Sequence, residues 1–343
     1  MADPVVVRRP IGDHPPKAHL YYGTDCREVL RVLPEGSIQC VVTSPPYWGL
    51  RDYGAGSTQI GLERTPEKYV EHLVEVFREV RRVLREDGTL WLNLGDTYAQ
   101  ARGHGHWENR KDKGDEHGQK VVRRWAEMGA EDLGLKPKDL VGIPWRMAFA
   151  LQADGWYLRS DVIWAKTNPM PESVADRPTK AHEYVFLMSK SARYFYDLEA
   201  IREPVSANWE HGAGAPMPEL GAHVLTEGRK GHQAKRTYDT PKGANRRTVW
   251  SIGTQPFPGA HFAVMPPALV EPCVLAGSRV GDTVLDPFSG SGTTGMVALS
   301  HGRDYVGIDI NSDYLELARA RLLGEDPPAT EQDDDPGILE FFA

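Results

Sequence analysis

Residues 283–309 constrain the fold more than any other stretch of the chain. Thr283-Val284-Leu285-Asp286 reads as a strand and Ser289-Gly290-Ser291-Gly292 as a tight turn. Thr293 and Thr294 open a helix, and Tyr305–Ile308 is a second strand closed by Asp309. Strand, glycine turn, helix and strand in this order belong to a dinucleotide-type crossover, whose turn lies at the C-terminal edge of the sheet where ligands bind. Glycines let that turn take positive φ and approach a ligand closely. An acid at the end of the second strand is placed to accept hydrogen bonds from ribose hydroxyls. No lysine follows the last glycine, so the turn is not an ATP-binding P-loop. Asp286-Pro287-Phe288 before a short Gly-x-Gly also departs from the nicotinamide pattern. A cationic sulfonium with an amino-acid tail suits Asp286 better than a pyrophosphate does.

A second motif lies about 240 residues earlier. Ile38–Thr43 is an apolar run that ends at Ser44-Pro45-Pro46-Tyr47-Trp48. This predicts a buried parallel strand opening into a loop. Pro45 and Pro46 have no amide hydrogens, so the ladder stops there. The loop suits an aromatic amine. Adenine N6 and cytosine N4 are poor nucleophiles because their lone pairs are delocalised into the ring. The Ser44 hydroxyl and the Pro45 carbonyl can accept hydrogen bonds from the amino hydrogens and favour a more tetrahedral nitrogen. The prolines stiffen the loop and preorganise those acceptors. Tyr47 can stack on a base and Trp48 can support the pocket wall. A base inside a duplex is out of reach, so the target must be flipped out.

The rest of the chain alternates strands and helices. Strands are predicted at His19–Tyr22, Thr89–Leu94, Tyr157–Trp164 and Tyr184–Met188. Helices are predicted near Arg27–Leu30 and over Pro66–Arg85, Asp139–Ala153, Pro267–Ala276 and Ser312–Leu323, with a further helix after the glycine turn. This alternation implies an α/β fold with a Rossmann-like, doubly wound, mostly parallel sheet. Residues 1–18 read as an N-terminal arm and 19–197 as a catalytic half with a polar insert over 99–136. Residues 198–250 read as an irregular insert, 251–324 as a cofactor-binding half and 325–343 as an acidic, disordered tail.

The net charge of −8 is unusual for a nucleic-acid binder, but the tail from Glu325 carries seven acidic residues and no basic one. Between Arg229 and Arg247 the balance reverses: Arg229, Lys230, Lys235, Arg236, Lys242, Arg246 and Arg247 face only Asp239. A local basic surface binds phosphates whatever the total charge. No apolar run reaches the roughly 18 residues of a membrane span, and no apolar segment follows the arginines of the N-terminus, so neither membrane nor signal peptide is expected. Three cysteines without Cys-x-x-Cys spacing read as reduced thiols of a cytoplasmic protein. His104, His106 and His117 lack a partnered ligand pattern, so no metal is expected.

The two motifs together resemble those of the amino-methylating DNA methyltransferases, the N4-cytosine/N6-adenine family with a (D/N/S)PP(Y/F/W) motif. Their β-type order puts the catalytic motif first, target recognition next and the S-adenosylmethionine motif last. Ser44, Pro45, Pro46 and Tyr47 match the catalytic motif. Asp286, Pro287, Phe288, Ser289, Gly290, Ser291 and Gly292, followed by Thr293 and Thr294, match the cofactor motif, and Asp309 matches its ribose-binding acid. By the same resemblance Phe262 contacts the cofactor, Asp25 lies near its adenine, and residues 198–250 read the DNA sequence. Trp164, Lys166, Arg246 and Arg247 are further candidates for DNA contact.

The resemblance implies methyl transfer from S-adenosylmethionine to a base in double-stranded DNA. Serine at position 44 is more typical of N4-cytosine enzymes, with N6-adenine as the alternative. The motif order argues against protein- or RNA-modifying relatives, and two intact motifs argue against an inactive DNA-binding module. A cognate restriction endonuclease and a homodimer are the partners such a family admits.

Overall fold

The computed structural model describes residues 3–9, 15–49, 59–99, 129–204, 243–255 and 264–325. Among these residues nine strands form one sheet: β1 (Val5–Arg8), β2 (Lys17–Tyr22), β3 (Ile38–Thr43), β4 (Leu84–Leu94), β5 (Tyr157–Ala165), β6 (His182–Ser189), β7 (Val249–Ser251), β8 (Thr283–Asp286) and β9 (Asp304–Asp309). Their order is β1-β2-β9-β8-β3-β4-β6-β5-β7. From β2 to β4 all neighbours are parallel, whereas β1–β2, β4–β6 and β6–β5 are antiparallel. The expected mostly parallel sheet is present, with antiparallel pairs outside its parallel centre.

Among the described residues the α-helices are α1 (Cys26–Val32), α2 (Pro66–Val83), α3 (Ile143–Ala153), α4 (Pro267–Gly277), α5 (Thr293–Ser300) and α6 (Tyr314–Leu323). Every residue of β3 is buried, and its alternation serves two cores. Val41 joins a cluster with Leu30 of α1, with Leu73 and Phe77 of α2, and with Met147 of α3. Cys40 points the other way, where its thiol donates to the Cys273 carbonyl of α4. There a Cβ at Gly277 would come within 2.6 Å of the Cys40 sulfur, so glycine lets α4 lie close to the sheet. Helix α2 forms because Tyr69, Leu73, Val76, Phe77, Val80 and Val83 fall on one face. Thr65 caps it by accepting from Lys68 N–H, and Pro66 occupies the first turn, where no amide partner is needed. Each large side chain fully buried in this way contributes about 1.5–3 kcal/mol.

Several elements differ from the sequence expectation. Residues 1–18 are not simply an arm, because Val5–Arg8 pairs antiparallel with β2, which itself starts at Lys17. The helix expected from Asp139 begins at Ile143. Residues before it are engaged elsewhere: Ala99 N–H donates to Asp139 O (2.8 Å) and Val141 N–H to Thr97 O (2.9 Å). Asp96 then accepts from the amides of Gly142 and Ile143 at 2.9 and 3.0 Å, serving the helix start from a distant loop. Strand β4 starts at Leu84 rather than Thr89, with a register shift against β3 that absorbs Asp87-Gly88.

Two compact units divide the chain, and the smaller runs from Leu198 to Arg247. Thr248 to Trp250, expected in the insert, belong with the larger unit, where β7 pairs in parallel with β5. The expected catalytic and cofactor halves are interleaved in one sheet, since β9 and β8 lie between β2 and β3. Within the smaller unit, Glu203 and Ala244 form an isolated bridge. The acidic tail beyond Glu325 and most of the 99–136 insert, with its three histidines, lie outside the described residues. Among the described residues no helix is long and apolar enough to cross a membrane and no group of side chains could hold a metal.

Candidate active site

The glycine loop leaves β8 at Asp286, which is 2% exposed. Its carboxylate accepts from Thr43 Oγ1 (2.6 Å), Phe288 N–H (3.0 Å) and Thr294 Oγ1 (2.9 Å). Burial pushes its pKa up to about 6, against the opposing effect of these donors. Asp286 therefore braces the loop from beneath. Gly292 has φ +76° and a Cβ there would strike Leu322 and Ala318 of α6. Gly290 has φ +50°, and a Cβ there would meet nothing within 4 Å, so its backbone faces open space. Gly290 N–H donates to Asp309 Oδ2 (2.7 Å) and Asn311 N–H to Asp309 Oδ1 (2.9 Å). Burial raises the Asp309 carboxyl to about 6 as well.

Three residues outside the motif hold this loop. The Tyr22 phenol donates to Gly290 O (2.8 Å) and shares a hydrogen bond with Ser289 Oγ (2.7 Å), which also meets the Tyr305 phenol (2.8 Å). Arg321 of α6 donates to Ser291 O (3.1 Å) and Thr293 Oγ1 (3.0 Å). Sequence reasoning missed Tyr22 and Arg321, since nothing local links a strand-end tyrosine or a helix arginine to a remote turn.

Ser44-Pro45-Pro46-Tyr47 leaves β3, the strand beside β8. Thr43, immediately before Ser44, makes the bond to Asp286, so one hydrogen bond joins segments 243 residues apart. The Tyr69 phenol of α2 donates to Pro46 O (2.9 Å) and fixes the loop. The Tyr47 ring lies against Gly95, where a Cβ would approach within 2.6 Å. Its phenol donates to Glu183 Oε2 (2.6 Å) and Asn93 Oδ1 (3.3 Å). Burial and the Glu183 charge drive its pKa well above the usual phenol value, with Ser44 hydrogen bonding opposing them. Glu183, 9% exposed, also accepts from Asn93 Nδ2 (3.1 Å) and Lys166 Nζ (2.6 Å).

Beside this network opens a cavity of about 330 Å³ whose lining includes Tyr47, Trp48, Asp96, Lys166, Lys180 and Glu183. Trp48 forms part of that wall, as expected, and donates its indole N–H to Glu63 O (3.0 Å). Burial lowers the pKa of Lys180, whose ammonium donates to Asp96 O (2.9 Å). A concave site of this size with converging polar groups suits a small heterocycle.

Residues 38–320 match the DNA methylase family of N6 and N4 methyltransferases. The chain belongs to this family. It is an S-adenosylmethionine-dependent DNA methyltransferase. It is 47% identical over 309 residues to the type II methyltransferase M.Cfr9I of Citrobacter freundii, covering 90% of this chain and 89% of that one. It is 49% identical over 299 residues to M.SmaI of Serratia marcescens, covering 87% and 89%.

Solved methylases share the fold. The putative DNA modification methylase TTHA0409 of Thermus thermophilus, complexed with S-adenosyl-L-methionine, aligns at 25% identity and TM-score 0.52 over 89% of this chain and 95% of that chain. The PvuII cytosine-N4-specific DNA methyltransferase aligns at 18% identity and TM-score 0.59 over 91% and 88%.

The geometry brings both family motifs together but not every expected site residue. Asp25 caps α1, accepting from Arg27 N–H (2.8 Å), and its carboxylate pairs with the Arg27 guanidinium. Thr24 N–H donates to Asp309 O (3.3 Å), which places that turn beside the ribose-binding candidate. Lys166 is held by Glu183 rather than extended toward solvent. Phe262 and the basic residues Arg229, Lys230, Lys235, Arg236 and Lys242 lie outside the described residues. Arg246 and Arg247 belong to the smaller unit, where Arg247 pairs with Glu203 (3.0 Å). Glu183 and Asn93 are also site residues that sequence reasoning passed over; Glu183 stood in a recognised segment without a role.

Proposed function

We propose that the chain methylates the exocyclic N4 amino group of a flipped-out cytosine in duplex DNA. The observation that carries this reading is the Thr43–Asp286 hydrogen bond, which sets the Ser44 loop against the glycine loop. The glycine loop fits the donor: Gly290 leaves room for a ligand, and the neighbouring Asp309 carboxylate is ionised above pH 6, ready for ribose hydroxyls. Bound S-adenosylmethionine supplies an electrophilic methyl group. Asp286, Tyr22 and Arg321 keep the loop in shape for it. Ser44 Oγ and Pro45 O accept from the amino hydrogens, while Tyr47 forms the wall against the extruded base. Serine is a weak base, so the amino proton would pass to solvent water after the methyl carbon has bonded to nitrogen and its bond to sulfur has broken.

Ser44 in the first motif position supports cytosine over adenine. The smaller unit, with Arg246 and Arg247 and the basic stretch before them, is assigned to target recognition. The type II names of the relatives support a restriction-modification setting with a cognate endonuclease. Three buried free cysteines suit a reducing, cytoplasmic compartment. Mass spectrometry of nucleosides from DNA incubated with the protein and S-adenosylmethionine tests the reading. N4-methylcytosine is expected. N6-methyladenine would keep the mechanism and overturn the choice of base.

A further inference from the structure

Met170 is 80% exposed, more than any other large apolar side chain among the described residues. A lone exposed apolar residue is ordinary on a protein surface. Three features set this one apart. First, Met170 lines the cavity that holds Tyr47. Val280, the next most exposed at 75%, lies near Gly302 and does not line that cavity. Second, Pro169 and Pro171 flank Met170 and restrict the backbone on both sides.

Third, the loop that carries it is anchored on both sides. Asn168 Nδ2 donates to Thr254 O (3.0 Å), and Thr254 N–H returns a bond to Asn168 Oδ1 (2.7 Å). Beyond Met170, Glu172 accepts from Arg177 (2.6 Å) and from Lys180 N–H (3.2 Å). The sequence thus spends two prolines and four side-chain contacts on holding a loop whose apolar tip stands in water.

Base flipping supplies a use for such a tip. When a nucleotide swings out of a duplex it leaves a gap, and the stack tends to close or to draw the base back. Apolar wedges inserted between base steps unstack them and kink the duplex, and the same insertion would fill such a gap. Methionine suits this because it is unbranched and polarizable, fills irregular gaps and makes favourable contacts with aromatic rings. A wedge must also stand beside the cavity that receives the base, as Met170 does. We propose that Met170 enters the base stack as the target nucleotide leaves it. The proposal rests on the base-flipping reading above.

The test uses the full-length protein and a synthetic duplex containing a site that the wild type methylates, mapped first on plasmid DNA. Transfer of tritiated methyl is measured for wild type, Met170→Ala and Met170→Leu. Two substrates are compared: the fully paired duplex, and the same duplex with an abasic position opposite the target base. Met170→Ala is expected to lose tenfold or more on the paired duplex and to recover to within about twofold of wild type on the abasic one, where less must be opened. Met170→Leu keeps most activity on both. Equal loss on both substrates, or no loss on the paired duplex, overturns the proposal. Cofactor affinity and thermal melting of each variant separate these results from misfolding. A wild type that methylates no DNA overturns the functional reading itself, whereas an active wild type with an indifferent Met170→Ala overturns only the wedge.

Discussion

The two sides of the site are built differently. On the proposed cofactor side one contiguous stretch, Asp286–Thr294, forms the loop, and its polar groups are largely satisfied by each other and by Thr43, Tyr22 and Arg321. On the target side Tyr47, Asn93, Lys166 and Glu183 come from separate segments and share one carboxylate. The cofactor side is a preformed cradle with few ways to rearrange. The target side is a charged network around a single hub, suited to a ligand that arrives from outside and must be oriented.

The largest expected effect is on the cradle. Asp286→Ala leaves the Thr43 hydroxyl and the Phe288 amide without this acceptor, at about 1–3 kcal/mol each, while Thr294 keeps its bond to Val42 O. Cofactor affinity in calorimetry should fall by more than about a hundredfold. Unchanged affinity would break the contrast, because the cradle would then not depend on its brace. Tyr47→Ala should lose about a hundredfold in turnover while cofactor affinity stays within about twofold; a matching loss of affinity would mean the two sides are one. Glu183→Gln weakens the hub without emptying it. Turnover should drop about tenfold, the equivalent of one charged hydrogen bond, with a larger change in kcat than in cofactor Kd.

The smallest effect sharpens the contrast through pH. Burial raises the Asp309 carboxyl to about 6. Ionised, it is the better acceptor for ribose hydroxyls, so cofactor affinity should decline severalfold as pH falls from about 7.5 to about 5.5. Asp309→Asn should flatten that profile, and an unflattened one would assign the titration elsewhere. Folding responds with the opposite sign. The folded state holds this proton more tightly than the unfolded chain, whose reference value is 3.8. The contribution of Asp309 to stability is therefore fully present below 3.8 and is lost as pH rises through about 6.

The same contrast explains what the sequence could reveal. The glycine turn and Ser-Pro-Pro-Tyr were legible because their chemistry depends on neighbours along the chain: backbone freedom at Gly290, ring stiffness at Pro45 and Pro46. The central strands were legible because burial on both faces leaves long apolar runs such as Ile38–Thr43. Glu183 and Asn93 stayed silent because a polar residue within a strand acquires meaning only from the residue it meets across the sheet. The start of α3 was misplaced for a related reason: its cap is Asp96, some 46 residues away. Val5–Arg8 and Val249–Ser251 are short edge strands whose pairing, not their composition, makes them strands.

The Thr43–Asp286 bond carries a consequence for how such a chain can be rearranged. It makes the two motifs adjacent in space irrespective of which is translated first. The end of α6 also reaches β1, since a Cβ at Gly324 would sit 3.7 Å from the Arg9 guanidinium. A circular permutant joined there and opened between β7 and α4 reverses the reading order of the motifs while closing the same bond. Motif order along the chain is thus expected to be exchangeable in this protein, provided that the hydrogen bond re-forms.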